Sequence, residues 1–268
     1  MTESIAVAAT APFGADVLER LAGSHEISAL LTRPDAPAGR GRRPSPPPAK
    51  EAAERLGIPV LQPDVLEAGL MLAAPTVVTV AYGRLIPEAL LTERLWLNVH
   101  PSLLPRWRGA APVERALMAG DRETGVTIIE LVKELDAGPI AAQQSYAIEP
   151  GDDAGAVYAK AAPIAVELLD ELLEDPDRAY RHQADEGVTY ADKITAADRV
   201  LELSRPSEEL VNRVRALSPH IGARAQLHGR DVTVWRAQVG EDGSFEPLEV
   251  QPAGGRRMDY DAWLRGLR

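Results

Sequence analysis

The sequence predicts an α/β protein built on a mostly parallel sheet, followed by a small all-β module. Three observations carry that expectation. Ser4-Ile5-Ala6-Val7-Ala8-Ala9 is a short apolar run that breaks at Thr10, Pro12 and Gly14 and leads into a helical pattern over 15–21; strand, tight turn and helix are how a nucleotide-binding, Rossmann-like sheet begins. Thr76-Val77-Val78-Thr79-Val80 is β-branched throughout, which suits a central parallel strand buried on both faces. From about residue 196 the chain changes character, with short strand patterns over 223–227, 231–237 and 247–250 separated by Gly-rich turns, the pattern of a small barrel.

Between these landmarks the elements follow in order. Residues 26–31 give a second strand, 33–48 a Pro/Gly-rich loop with nothing in it to bury a core, 49–56 a helix and 58–61 a short strand. The strand over 74–81 runs into Ala81-Tyr82-Gly83-Arg84-Leu85-Ile86-Pro87, and ligands of α/β sheets sit beyond such carboxyl ends. Further strands are expected at 96–100, 125–131 and 140–148, with helices at 113–118, 157–173 and 206–217. Boundaries at 1–180, 181–195 and 196–268 mark a first domain, a polar linker and a second domain. No Gly-x-Gly-x-x-Gly follows the first strand, so a dinucleotide site has little support.

The 268 residues suffice for two domains, and 45% hydrophobic with 26% charged residues is the balance of a soluble globular protein. No apolar run approaches the roughly 20 residues that span a bilayer, and no secretory signal opens the chain, so cytoplasm and no membrane partner are expected. The absence of cysteine rules out disulfides and thiolate chemistry, and the five histidines show no ligand spacing, so no metal is predicted. A net charge of -11 argues against a general nucleic-acid binder, so any RNA contact must be local. The one dense basic cluster is Arg40, Arg42 and Arg43, flanked by Arg33 and Lys50. Arginine suits phosphate and stacked bases through its planar fork; a solvated, solubilising loop is the other reading.

The residues with chemical promise surround the stretch 98–112. Asn98 and His100 alternate onto one face at a strand end, and Pro101 stops the ladder, so an amide and an imidazole open together onto a loop. Such a pair can donate to an oxygen gaining negative charge during acyl transfer, although by spacing alone it is more often a satisfied polar pair. Asp136, in Glu134-Leu135-Asp136-Ala137-Gly138-Pro139, is by itself turn chemistry. Ser102 has no recognisable base and no Gly-x-Ser-x-Gly elbow around it.

Ser102-Leu103-Leu104-Pro105-Arg106-Trp107-Arg108-Gly109-Ala110-Ala111-Pro112 resembles the signature loop of the formyltetrahydrofolate-dependent formyltransferases. The resemblance continues in family order through Gly120-Asp121, Thr124-Gly125-Val126-Thr127-Ile128 and Leu135-Asp136-Ala137-Gly138, and it is strongest to the branch acting on initiator methionyl-tRNA. It implies a formyltransferase domain over 1–180, then a linker with Tyr190-Ala191-Asp192-Lys193-Ile194, then an OB-like, tRNA-binding barrel over 196–268 carrying Val250-Gln251-Pro252-Ala253-Gly254-Gly255-Arg256-Arg257-Met258. The stretch between Trp235 and Leu248 is too brief for every strand of that barrel, which is therefore expected to be shortened.

The same resemblance implies Asn98, His100 and Asp136 as catalytic residues. It implies Tyr82, Arg84, Leu85 and Ile86, with Ser102, Leu103, Leu104 and Pro105, around the folate, and Arg40, Arg42 and Arg43 on the acceptor-stem end of tRNA, Arg42 foremost. The co-substrate would be 10-formyltetrahydrofolate, the acceptor initiator methionyl-tRNA, and the working unit a monomer. The chain departs from the family in Ala9-Thr10-Ala11-Pro12-Phe13, where Gly-Thr-Pro-x-Phe is usual, and at Pro139, where a second Asp is frequent. Arg106 and Arg108 could meet phosphate or the folate's glutamate tail, or could lock the loop. A formyltransferase for another amine, such as glycinamide ribonucleotide or an amino sugar nucleotide, and a non-catalytic RNA-binding module are the competing readings; the basic loop and second module speak for tRNA, and the polar triad for an enzyme.

Overall fold

The computed structural model describes residues 4–38, 43–67, 69–70, 72–175 and 178–267. The chain runs β1 (Ile5–Ala9), α1 (Pro12–Leu21), β2 (Ile27–Leu31), β3 (Ala36–Ala38), β4 (Arg43–Ser45), α2 (Pro48–Leu56), β5 (Val60–Leu61), β6 (Thr76–Val80), α3 (Glu88–Leu91) and β7 (Leu95–His100). It continues through β8 (Arg108–Gly109), α4 (Pro112–Ala119), β9 (Glu123–Glu130), β10 (Ile140–Ala147), α5 (Ala154–Glu174) and β11 (Tyr190–Ala191). The last elements are α6 (Ser207–Leu217), β12 (Ala223–Leu227), β13 (Arg230–Val239), β14 (Phe245–Pro252), β15 (Met258–Asp259) and α7 (Tyr260–Arg265). Two compact units result, one of Met1–Arg108, Gly125–Ser145 and Ala159–Thr189, the other of Gly109–Thr124, Tyr146–Tyr158 and Tyr190–Arg268.

Seven strands order as β10-β9-β7-β6-β1-β2-β5. β1 pairs in parallel with β2 and β6, β6 with β7, and β2 with β5, while β9 runs antiparallel to β7. The apolar runs of β1 and β6 lie at the middle of this order and are buried on both faces, as sequence without alternation requires. Proline starts α1, α2 and α4 where a missing N–H costs nothing, and left-handed Gly57 and Gly120 close α2 and α4.

The altered turn after β1 packs closely against the end of β6. A β-carbon at Gly14 would lie 2.5 Å from the carbonyl of Val80 and 2.8 Å from Cβ of Ala9, so the close approach of helix to strand end falls at Gly14. Ala11 N–H donates to the carbonyl of Ala81 at 3.4 Å and the Thr10 hydroxyl to that of Tyr82 at 2.9 Å, tying the ends of β1 and β6 together. Part of the 33–48 loop is ordered where only irregular chain was expected. β3 and β4 form a two-stranded antiparallel ribbon, Pro37 facing Pro44, since an isolated ribbon has outward positions that need no N–H.

In the second unit, where a shortened barrel was expected, β12-β13-β14-β15 form a small antiparallel sheet. Leu210, Val214 and Leu217 of α6 pack with Val232, Val234, Val250 and Trp263 into its core. Neither β15 nor α7 was expected; Asp259 caps α7 by accepting from Asp261 and Ala262 N–H, and Trp263 supplies the buried anchor. Arg115 of α4 donates bidentately to Asp198 at 2.8 and 3.2 Å and also reaches the carbonyls of Asp192 and Lys193. Those bonds hold the Asp198 carboxyl well below the usual carboxylate range. A depressed folded-state value stabilises above the unfolded one and is lost as pH falls. Asp198→Asn is therefore expected to cost on the order of 1 kcal/mol in urea unfolding near neutrality, with the gap to the parent closing below a pH of about 4; an equally wide gap in strong acid contradicts this assignment.

Candidate active site

The site is assembled at the carboxyl end of β7, where Asn98 and His100 point to one face. Thr79 lies beside Asn98 in the parallel register and is 4% exposed. Its hydroxyl stands 2.7 Å from Oδ1 of Asn98 and 3.0 Å from the carbonyl of Leu97. Donation to Oδ1 turns the Asn98 amide so that Nδ2 faces outward, 3.5 Å from Oδ1 of Asp136.

His100 is fixed by a backbone group. Its Nε2 lies 2.8 Å from the carbonyl oxygen of Trp107, and a carbonyl only accepts, so Nε2 carries the hydrogen. Nδ1 then faces Oδ2 of Asp136 at 3.7 Å. The imidazole and carboxylate are 5% and 10% exposed, so their interaction is only weakly screened. Trp107 and Asp136 both adopt left-handed backbone conformations, φ 67° and 48°. A β-carbon at Gly138 would collide with the carbonyl oxygen of Glu130, so the Asp136 turn closes only with glycine there.

The structure thus brings Asn98, His100 and Asp136 together on one unit. The residues that the sequence associates with folate fall into two neighbouring loops. In the turn after β6, Tyr82 is buried, and burial pushes its phenol up against the opposing pull of the Arg84 and Arg33 charges. Arg84 donates to the carbonyls of Pro63 and Asp64, Ile86 packs on the core, and Leu85 is 81% exposed. In the signature loop, the buried Ser102 hydroxyl donates to the carbonyl of Arg106 at 2.7 Å, a structural bond. Leu103 lies against Gly125 in the space a side chain would fill. Leu104 N–H donates to Thr127, its carbonyl accepts from Gln143, and the following peptide to Pro105 is cis.

Arg106 stacks over the Trp107 ring, 4.3 Å from its centroid, and Arg108 is bonded to Gln183, so both arginines brace the loop. Of the basic cluster, Arg40 and Arg42 lie outside the described residues, as does the side chain of Arg43, whose backbone pairs with Ala38. Lys50, which flanks the cluster in sequence, is bonded to Asp35 at 2.8 Å, and hydrogen bonds from Gln62 and then Lys50 lower the Asp35 carboxyl. Among the described residues no group of three or more His, Cys, Asp or Glu could hold a metal ion, and no helix is long and apolar enough to cross a membrane.

Sequence reasoning passed over Thr79, the Trp107 carbonyl and Gln183. Thr79 stands out only once the β6–β7 register is known, and a carbonyl leaves no residue-type signal at all.

Comparison with known proteins places the chain in a family. Residues 4–173 match the formyl transferase family model, and residues 193–247 match that of the formyl transferase C-terminal domain. The methionyl-tRNA formyltransferase of Acidothermus cellulolyticus is 39% identical, with 92% of each chain covered. That of Halorhodospira halophila is also 39% identical, over 100% of this chain and 97% of the relative. Among solved structures, HypX from Aquifex aeolicus in complex with tetrahydrofolic acid superposes with a TM-score of 0.70 at 18% identity, over 98% of this chain and 47% of its own. An N-formyltransferase from Helicobacter canadensis, in complex with folinic acid and dTDP-3-aminofucose, gives 0.68 at 15% identity, over 89% and 88%; at such identities both likenesses concern the fold. Matched by formyl transferase models in both parts and by these relatives along nearly its whole length, the chain belongs to the methionyl-tRNA formyltransferase family.

Proposed function

We propose that this protein transfers the formyl group of 10-formyltetrahydrofolate to the α-amino group of methionine carried by initiator tRNA, with Asn98, His100 and Asp136 as the catalytic residues. The observation that carries the reading is the meeting of an amide, an imidazole and a carboxylate within 3.5–3.7 Å, at the strand end where α/β sheets bind ligands. The identity to methionyl-tRNA formyltransferases, sustained over both parts of the chain, supports the tRNA acceptor over other amines. The proposed working unit is a monomer, acting in the cytoplasm where charged tRNA is used.

The chemistry asks three things of these groups. As the α-nitrogen bonds to the formyl carbon, the carbonyl oxygen becomes an anion, and the outward Nδ2 of Asn98 donates to it. His100, with Nε2–H held by Trp107, adds a charge-assisted donor through Nδ1–H when protonated, and the Asp136 carboxylate favours that cation. Asp136 also receives, directly or through water, the proton shed by the attacking nitrogen. The bond from carbon to N10 then breaks as N10 takes up a proton, so one proton passes in net from acceptor to folate. The turn 81–87 and the loop 102–105 are proposed to enclose the folate, largely through main-chain groups, since the Arg84 guanidinium is committed to backbone carbonyls.

Asn98→Ala is expected to lower turnover on the order of 100- to 1000-fold while the protein still binds formyltetrahydrofolate, as measured by transfer of labelled formyl to initiator methionyl-tRNA. His100→Ala and Asp136→Ala should lose steady-state turnover, leaving a remnant that only single turnovers resolve, and should leave the circular dichroism spectrum unchanged; full activity in either removes that residue from the mechanism. Simultaneous replacement of Arg40, Arg42 and Arg43 by Ala should raise the KM for tRNA steeply and leave folate affinity alone, because these charges are proposed to meet tRNA phosphates. Unaltered tRNA kinetics exclude the basic loop.

A further inference from the structure

Two residues of the site hold backbone conformations that side-chain-bearing residues rarely adopt, Trp107 at φ 67° and Asp136 at φ 48°. Each costs on the order of 1–2 kcal/mol and persists only where its surroundings over-determine it. Both are held by one extended segment that follows α5. Gln183 Nε2 donates to the carbonyls of Asp136 and Gly138, both at 2.8 Å. Its Oε1 accepts from Nε and Nη2 of Arg108 at 3.0 and 2.7 Å, which sets the amide with its NH2 toward the Asp136 turn. Six residues on, the Thr189 hydroxyl accepts from Trp107 N–H at 2.9 Å, and its carbonyl accepts from Arg108 N–H at 2.9 Å. Upstream, Arg181 and Ile140 exchange backbone bonds of 2.7 and 2.9 Å, anchoring the segment to β10.

We propose that Gln183, oriented by Arg108 and seconded by Thr189, is the positioning residue that aims Asp136 at His100 and Asn98. The proposal rests on the catalytic reading of Asp136. Gln183 is given no contact with a substrate; it acts through the turn that presents the carboxylate, while Thr189 holds the two peptides on either side of Trp107, its hydroxyl taking the Trp107 N–H and its carbonyl the Arg108 N–H of the peptide whose carbonyl meets His100. A turn released by a fraction of an ångström leaves binding intact and degrades alignment, so the effect belongs in kcat.

The test is a pair of variants assayed with formyltetrahydrofolate and initiator methionyl-tRNA, alone and combined. Gln183→Met keeps the volume and removes both donors. It should lower kcat on the order of 10- to 100-fold with both KM values within about twofold of the parent. Introduced into Asp136→Asn and followed in single turnovers, the same change should produce no further loss, because its route to the chemistry is gone. An unchanged kcat for Gln183→Met, or a loss that repeats in full in Asp136→Asn, overturns the proposal. A fully active Asp136→Asn fails separately, by overturning the catalytic reading itself. If Gln183→Met does not fold, Gln183→Glu, which keeps an acceptor for Arg108 and puts an anionic oxygen where the donors stood, is held to the same outcomes. Thr189→Val should show the same split between kcat and KM without depending on the Asp136 background.

Discussion

The bond between Nε2 of His100 and the carbonyl of Trp107 is the contact on which the rest of the site depends. An imidazole has two nitrogens of similar basicity, and its usefulness in catalysis depends on which one is free to titrate. By occupying Nε2 with a group that can only accept, the loop leaves Nδ1 open toward Asp136. The carbonyl meets His100 from a Trp107 held at positive φ, a conformation that costs a residue with a side chain. That in turn requires the loop 102–108 to be tied down at both ends. Ser102 closes it internally on Arg106, Thr127 bonds Ser102 and Leu104, and Thr189 receives the Trp107 N–H.

The same logic explains why polar side chains are buried around the site without being reactive. Thr79, Ser102 and Thr127 are almost wholly enclosed, and each meets its hydrogen-bonding needs with a neighbouring carbonyl or amide. A buried hydroxyl left unpaired would cost about 1–3 kcal/mol, so such residues act as fixed spacers that cannot rotate cheaply. Thr79 is the clearest case. It lies in a strand whose three valines are buried apolar core, yet its hydroxyl, 2.7 Å from Oδ1, orients the Asn98 amide. Strain is concentrated where orientation matters: Ala81, Trp107 and Asp136 are three of the four non-glycine residues with positive φ among the described residues, and all lie in loops of the first unit.

The succession of strands and helices was largely legible, because the apolar runs of β1 and β6 and the amphipathic α1, α2 and α6 bury what their periodicity says they should. The short pieces were not. β15 and α7 have too few residues to show a period, and they exist because Trp263 finds a core built by distant segments. The ribbon of β3 and β4 defied its proline content, since pairing in an isolated ribbon makes few demands on the missing N–H groups. Asn98 and His100 were readable as neighbours from strand alternation, whereas Asp136 carried no local sign of chemistry and became a candidate only through the longer string around it.

The order of residues by itself determined the strand that carries Asn98 and His100 on one face, the glycine that lets the Asp136 turn close, and the family likeness of the loop between them. These are local properties, set by the two-residue period of a strand and by the room a β-carbon needs. Tertiary structure alone decided that Asp136 arrives beside His100, that Thr79 turns the Asn98 amide, and that Gln183 and Thr189 brace a loop and a turn from a segment that looked like plain linker. Hydrogen bonds across 19 to 82 residues of chain depend on sheet register and on backbone carbonyls, and neither leaves a mark in the identity of any single side chain.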